Sequence, residues 1–299
     1  MHADMPPAEV RTAEARTNAE RGVPGIGAHD IMDGAALGRI GSLEVRLACN
    51  EDEIAAAQEV RYRVFYDELG AGKGRADVLD RRDADRFDAA CDHLLVVDTG
   101  RSGPAHKRIV GTYRLLRQEK AAVSGGFYSE GEFDLQGLVA RHPGLRFLEL
   151  GRSCVLADYR SKRTIEVLWQ GIWAYINHHG IGVMTGCASF HGTDPAAHAE
   201  ALTYLAHHCR TDAAWDIRAV PGRYCPMDLM PIEAVSAKAA IAAMPPLVKG
   251  YLRVGARIGD GCVIDHDFST VDVFVVLPVS EIASRYVAYY GSDAQRFAA

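Results

Sequence analysis

FLELGRSCVLADYRSKR, residues Phe147 to Arg163, is the stretch from which the rest of the chain is read. Its apolar first half has the pattern of a strand and carries one acid, Glu149, and one base, Arg152. Its second half is a short loop with Arg160, Lys162 and Arg163, opening an amphipathic helix at Thr164. Glu149 lies between Leu148 and Leu150, so an extended backbone turns it to the face opposite both. On an exposed face it is a solvated carboxylate. Facing a cleft, partial burial raises its pKa and suits it to take a proton from an ammonium. Arg152 is three positions on and points away from Glu149, unless a bulge invited by Gly151 returns it to the same side. The N–H groups and positive dipole end of the helix that follows suit an anion, although incidental solvated charges are the plain alternative. The loop is neither GxGxxG nor a P-loop, which favours a phosphate on a carrier over a bound nucleotide.

Working outward, residues 1–42 are rich in Ala, Gly, Pro and alternating Arg and Glu, and are expected to form a mobile tail. A single domain, 43–299, should follow, with a C-terminal extension from about 221. LEVRLA from Leu43 alternates like a half-buried strand. Asn50 and Glu53 form a capping-box pattern for a helix with Ile54, Ala57, Arg61, Val64, Phe65 and Leu69 at helical spacing, stopped by Gly70. Residues 71–91 are a charged loop. Its Asp83, Asp85 and Asp88 either are solvated or, with Arg61 or Arg114, form an ion-pair network over a pocket.

Strands are predicted at His93–Asp98, Ile109–Arg117, Phe147–Leu156, Val183–Ser189 and Val271–Val279, with Trp215–Val220 a weaker candidate. Helices are predicted over EGEFDLQGLVA, over Thr164–His179 with Ile165, Leu168, Ile172, Trp173 and Ile176 on one face, and after Asp194-Pro195. Glu233–Met244 and the terminal SEIASRYVAYYG read as helices, and LVKGYLRVGARIG as a short helix or turn. The sum is α+β: a central mixed, mostly antiparallel sheet flanked by helices, with β–α–β at its centre.

The chain is 299 residues long, 48% hydrophobic and 24% charged, with a formal charge of −6, which gives no support for non-specific nucleic-acid binding. Seven cysteines without a CxxC pair read as reduced thiols of a cytoplasmic protein. No apolar run reaches the ~18 residues of a membrane span; peripheral contact with the inner membrane face stays open. With no H-x3-H or HExxH, and with His178-His179 and His207-His208 diverging on their helices, no metal site is expected. Cys154 could be an acyl-accepting nucleophile, but Val155 and Leu156 beside it favour an ordinary buried thiol.

Arg61-x3-Phe65, the trio Asp83, Asp85 and Asp88, Arg114 in a strand, and Glu149-x2-Arg152 resemble the ordered signature of the acyl-homoserine lactone synthases, relatives of the GNAT acyltransferases. Segments such as RYRVFYDELG, GTYRLLR, GCASFHGTDP and IDHDFSTVDVFVV resemble one branch more closely, the L-ornithine Nα-acyltransferases of ornithine-lipid synthesis, over roughly residues 43 to 280. Leu69-Gly70-Ala71 replaces the tryptophan usual in the lactone synthases. Asp83 stands where they have Glu, and YRSKRTI replaces the glycines of the acetyltransferase pyrophosphate loop.

The resemblance implies a GNAT-like acyltransferase fold and transfer of a 3-hydroxy fatty acyl group from acyl carrier protein to the α-amine of L-ornithine. It implies no permanently bound cofactor, the donor being the phosphopantetheine of the carrier. Glu149 would be the base, Arg152 would act beside it, and backbone N–H groups near Cys154 and Val155 would hold the thioester oxygen if the strand is bulged. Arg61, Phe65, Asp85, Asp88 and Arg114 would shape the acceptor pocket. Arg160, Lys162, Arg163 and Thr164 would meet the carrier and its phosphate. Phe127, Leu168 and Trp173 are candidates for an acyl tunnel. Acylation of another amino acid such as glutamine, synthesis of a lactone signal, and a non-catalytic membrane-associated role remain open.

Overall fold

The computed structural model describes residues 34–72 and 79–282. Residues 1–33 of the predicted tail, part of the charged loop, and the terminal helix beyond Ile282 lie outside the described residues.

The strands are β1 (Gly38–Ile40), β2 (Leu43–Leu47), β3 (Asp92–Asp98), β4 (Ile109–Arg117), β5 (Phe147–Val155), β6 (Val183–His191), β7 (Arg257–Asp265) and β8 (Thr270–Pro278). The helices are α1 (Glu51–Tyr62), α2 (Ala105–Arg108), α3 (Gln118–Val123), α4 (Leu135–Arg141), α5 (Lys162–His179), α6 (Ala199–His208), α7 (Ala237–Ala243) and α8 (Pro246–Val254). One sheet runs in the order β1-β2-β3-β4-β5-β6-β8-β7. All pairings are antiparallel except β5 with β6, which the crossover helix α5 joins in parallel. The predicted fold class is the one observed.

Local chemistry explains most boundaries. Asn50 Oδ1 accepts from Glu53 N at 3.0 Å and starts α1, while the Glu53 carboxylate turns to the Cys49 N–H at 3.0 Å and to Arg46. After Tyr62 the helix widens into a π-helical turn, Arg63–Glu68, and stops at Gly70, whose φ of +74° suits glycine. The left-handed Gly180 ends α5 as predicted. Gly171 lets α5 settle against Val45 of β2, where a Cβ would stand 2.6 Å from a Val45 methyl.

Several expectations are corrected. The sheet begins at Gly38, ahead of Leu43. Helix α5 starts at Lys162 under a Ser161 cap, two residues before Thr164, and Ile165 is 48% exposed, outside the apolar stripe. Trp215–Val220 forms only isolated bridges, Phe133 with Ala219 and Arg218 with Asp260, because Asp212 organises a turn there. The Glu233–Met244 helix breaks into a 3-10 turn and α7 where Ser236 caps a new start. LVKGYLRVGARIG is α8 followed by the first residues of β7.

The feature that positions the site is the parting of β5 from β6. They pair only over Phe147–Glu149 with Val183–Thr185. At the next residue, Gly186, φ is +152° and a Cβ would stand 2.3 Å from the Leu150 carbonyl oxygen. Beyond it β5 follows β4 and β6 follows β8, leaving an opening between them.

Candidate active site

Period-two alternation puts one set of side chains on one face of the sheet. The registers Glu149 with Thr185, Ser189 with Asp272, His191 with Thr270, and Asp265 with Thr270 align the polar residues of β5, β6, β8 and β7. Glu149, Cys187, Ser189, His191, Asp265, Thr270 and Asp272 line a cavity of about 240 Å³. Phe65, Leu69, Tyr113, Leu150, Leu247 and Phe268 supply its apolar wall.

Glu149 is 4% exposed. Its Oε2 accepts from Tyr128 N at 2.7 Å, and its Oε1 accepts from Ser129 N at 2.9 Å and from the Ser129 hydroxyl. Burial raises its pKa; the Ser129 and Tyr128 donors and the Arg114 charge offset part of that rise. A carboxylate offers about four lone-pair sites, and three are engaged, so one on Oε2 is left to take a proton.

The bulge that would return Arg152 to the Glu149 side is present. Thr112 pairs with Cys154 and Arg114 with Gly151, so Arg152 and Ser153 stand opposite Tyr113 alone. The strain falls on Arg152, with φ +49°, and Gly151 is spared it. The Arg152 guanidinium lies over Phe268 at 4.2 Å and Tyr128 at 4.7 Å and donates to Asp83 at 3.2 Å and Asp85 at 3.3 Å. It also lines the cavity.

Of the expected acceptor-pocket residues, only Phe65 lines the cavity. Arg61 is wholly buried and binds Asp83 at 2.8 Å and Asp88 at 2.8 and 3.0 Å. Arg114 is buried and donates to Asp85 at 2.6 Å. Asp83, Asp85 and Asp88 thus form the ion-pair network, and Arg61, Asp85, Asp88 and Arg114 support Arg152 from behind the cavity wall. Phe127, Leu168 and Trp173 do not meet in a tunnel. Phe127 belongs to a core cluster with Phe133 and Phe147, and the other two pack in the main core.

The basic loop divides. Arg160 donates to the Val155 carbonyl at 3.0 Å and to Glu68 at 2.7 Å. Thr164 is buried: its N–H meets the Ser161 cap and its hydroxyl donates to the Tyr159 carbonyl. That leaves Lys162, beside Glu166 at 3.4 Å, and the exposed Arg163 facing solvent. A wider groove of about 720 Å³ lies alongside, with Arg63, Arg101, His106, Lys107 and Tyr159 in its walls.

Strand register also separates Cys154 from Val155. Leu156 N donates to Val110 O, so alternation commits Cys154 N–H to β4 and turns Val155 N–H toward the opening. Burial pushes the Cys154 thiol up to about 12, unsuited to a nucleophile at neutral pH.

Sequence reasoning missed one cluster altogether. Glu132, Cys187 and Asp272 bring a ligand-type atom each within 4.8 Å of one another. Burial pushes Glu132 to about 7 and Asp272 to about 6, and holds the Cys187 thiol well above its usual value. A metal needs the thiolate, and Arg223 already neutralises Glu132 at 3.1 Å, so the donor set does not fit one. No local motif joins these three residues: the β6–β8 register brings Cys187 near Asp272, and the turn after Gly131 brings Glu132 to them.

Residues 60–170 match the family model described as an acetyltransferase (GNAT) domain. Over 265 residues the chain is 60% identical to an L-ornithine N(alpha)-acyltransferase of Brucella abortus, covering 89% of this chain and 94% of that protein. It is 58% identical over 259 residues to the protein of that name from Agrobacterium fabrum, covering 87% and 88%. Among solved structures, the acyl-homoserine lactone synthase LasI superposes with a TM-score of 0.45 at 12% identity, covering 84% of this chain and 96% of that one.

Proposed function

The chain belongs to the family of L-ornithine Nα-acyltransferases, and from that premise we propose that it moves a 3-hydroxy fatty acyl group from acyl carrier protein to the α-amine of L-ornithine, giving lyso-ornithine lipid. The observation that carries the reading is the position of Glu149. It is a buried carboxylate with one oxygen position left over, in a cavity where two strand edges part.

The acceptor arrives as an ammonium, which has no lone pair for attack. Glu149 takes one proton, directly or through water, and the amine adds to the thioester carbonyl. Negative charge then builds on the carbonyl oxygen. The Val155 N–H, turned away from β4, is the donor for it. Collapse breaks the carbon–sulfur bond and forms the amide; the leaving thiolate takes up the second amine proton and departs as the carrier thiol, and Glu149 returns its proton to solvent. Arg152, fixed by two rings and two carboxylates, presents a guanidinium to the acceptor carboxylate. No cofactor is held between turnovers; the phosphopantetheine stays with the carrier. Lys162 and Arg163, with Arg101 and Lys107 of the wider groove, offer positive charge to the carrier's phosphate and acidic surface.

No helix among the described residues is long and apolar enough to cross a membrane. We propose that the protein works at the cytoplasmic side, meeting the membrane peripherally through its product.

The test is acylation by the purified protein of a panel of amino acids, glutamine included, from 3-hydroxyacyl–acyl carrier protein, read by mass spectrometry. N-acyl ornithine as the dominant product supports the reading. Acylation of another amino acid in preference, or of none, overturns it.

A further inference from the structure

The cavity holds more negative charge than a single base requires. Beside Glu149 its wall carries Asp265, at the end of β7, and Asp272, on β8. Arg152, the guanidinium among the described lining residues, already serves Asp83 and Asp85. Asp272 is 6% exposed, and its Oδ1 makes no hydrogen bond. The Ser189 and Thr270 hydroxyls stand close enough to act on the carboxyl, but neither completes a hydrogen bond to Oδ1. A buried acceptor without a donor carries its full desolvation cost, so Asp272 is an acceptor poised for a donor. Burial raises its pKa to about 6, with Asp265 adding to the rise and the Ser189 and Thr270 hydroxyls only partly offsetting it. Asp265 is fixed by Asp267 N at 2.7 Å and Phe268 N at 3.1 Å, which hold one of its oxygens at the hairpin.

We propose that Asp272, with Asp265 beside it, receives a second ammonium, at the far end of the acceptor's side chain, and so selects diamino acids over neutral amino acids of equal length. The proposal rests on the amine-acylation reading above and adds what sets its specificity. An acceptor with one amine would satisfy Glu149 and leave Asp272 buried and unmatched. Such a mismatch discriminates strongly, because a site built around a polar group of its substrate rejects the analogue that lacks it.

The test compares kcat/KM for ornithine and for norvaline, which has the same carbon chain without the distal amine, using the full chain and 3-hydroxyacyl–acyl carrier protein. The native protein should favour ornithine by about 100-fold or more. In Asp272→Asn that ratio should fall by about tenfold or more. Asp265→Asn should lower it less, and it serves as the readout if Asp272→Asn does not fold. A general loss of activity lowers both rates and leaves the ratio standing, which overturns the proposal. So does a native protein that acylates norvaline as well as ornithine, while the acyltransfer reading itself survives. Acylation of neither acceptor overturns both.

Discussion

Arg61 and Asp88 meet in a forked pair of hydrogen bonds, Nη1 to Oδ1 at 2.8 Å and Nη2 to Oδ2 at 3.0 Å, with the arginine wholly out of solvent. Its Nε binds Asp83, which in turn accepts from Arg152. Removing one partner of a buried pair strands the other charge. Arg61→Ala should therefore lower unfolding free energy by about 3–5 kcal/mol in a urea titration. Arg61→Lys should recover only part of that, since an ammonium cannot fork. A loss under about 1 kcal/mol would show the pair to be dispensable.

Glu149→Gln keeps the size of the side chain and removes the proton acceptor. Turnover should fall by about 10²–10⁴, the range for loss of a general base. The fold should persist with a lowered thermal transition, since the amide NH2 would face a backbone N–H from which the carboxylate now accepts. Near-native turnover would take Glu149 out of the chemistry.

The same residue sets a pH dependence. Burial holds the Glu149 pKa above the ordinary carboxylate value, and the base works only when deprotonated. The rate should therefore rise with pH through an apparent pKa above 4.5 and then level. The acidic limb should vanish from the residual rate of Glu149→Gln. An unchanged limb would assign the titration elsewhere.

Asp272 makes the opposite demand on the fold. Its pKa is raised from 3.8 to about 6, so the native state holds the proton where the unfolded chain has released it. That contribution is fully present below about 3.8 and is lost as pH rises to about 6. Asp272→Asn should thus be more stable than the native protein at pH 8, on the order of 1–3 kcal/mol, with the gain fading toward acid. Equal stabilities at both ends of that range would contradict this account.

Lys162→Glu with Arg163→Glu should raise KM for the carrier protein several-fold, with a smaller change in kcat, and weaken the dependence of KM on salt. Arg160 is the wrong residue for this test, since its guanidinium is tied to Glu68 and the Val155 carbonyl. Unchanged carrier dependence would remove the loop from docking.

The sequence declares whatever is local. Asn50 caps α1, Gly180 ends α5, Asp194-Pro195 opens the next turn, and the apolar run of β8 reads as a strand, because each depends on neighbours in the chain. The bulge at Arg152 was suggested by Gly151, but its strained residue was not, since a ladder shift depends on β4 as well. Strand β7 was hidden by Gly259 and Gly261, which break its alternation where the register with β8 slips. Arg61 and Arg114 carry a recognisable spacing, yet nothing in that spacing says they stand behind the wall rather than in it. Asp265 and Asp272 carry no spacing signal at all, and meet Glu149's cavity only once four strands are aligned.

Gly186 gives the opening between β5 and β6 a fixed gauge. A single methyl at that position would collide with the Leu150 carbonyl 2.3 Å away, so the two strands could no longer come together over Phe147–Glu149 before dividing. The point at which the two strands part is then a dimension of the backbone itself. Substitutions among the cavity's side chains can reshape its walls, while the place where the two strands divide stays as one hydrogen atom has set it.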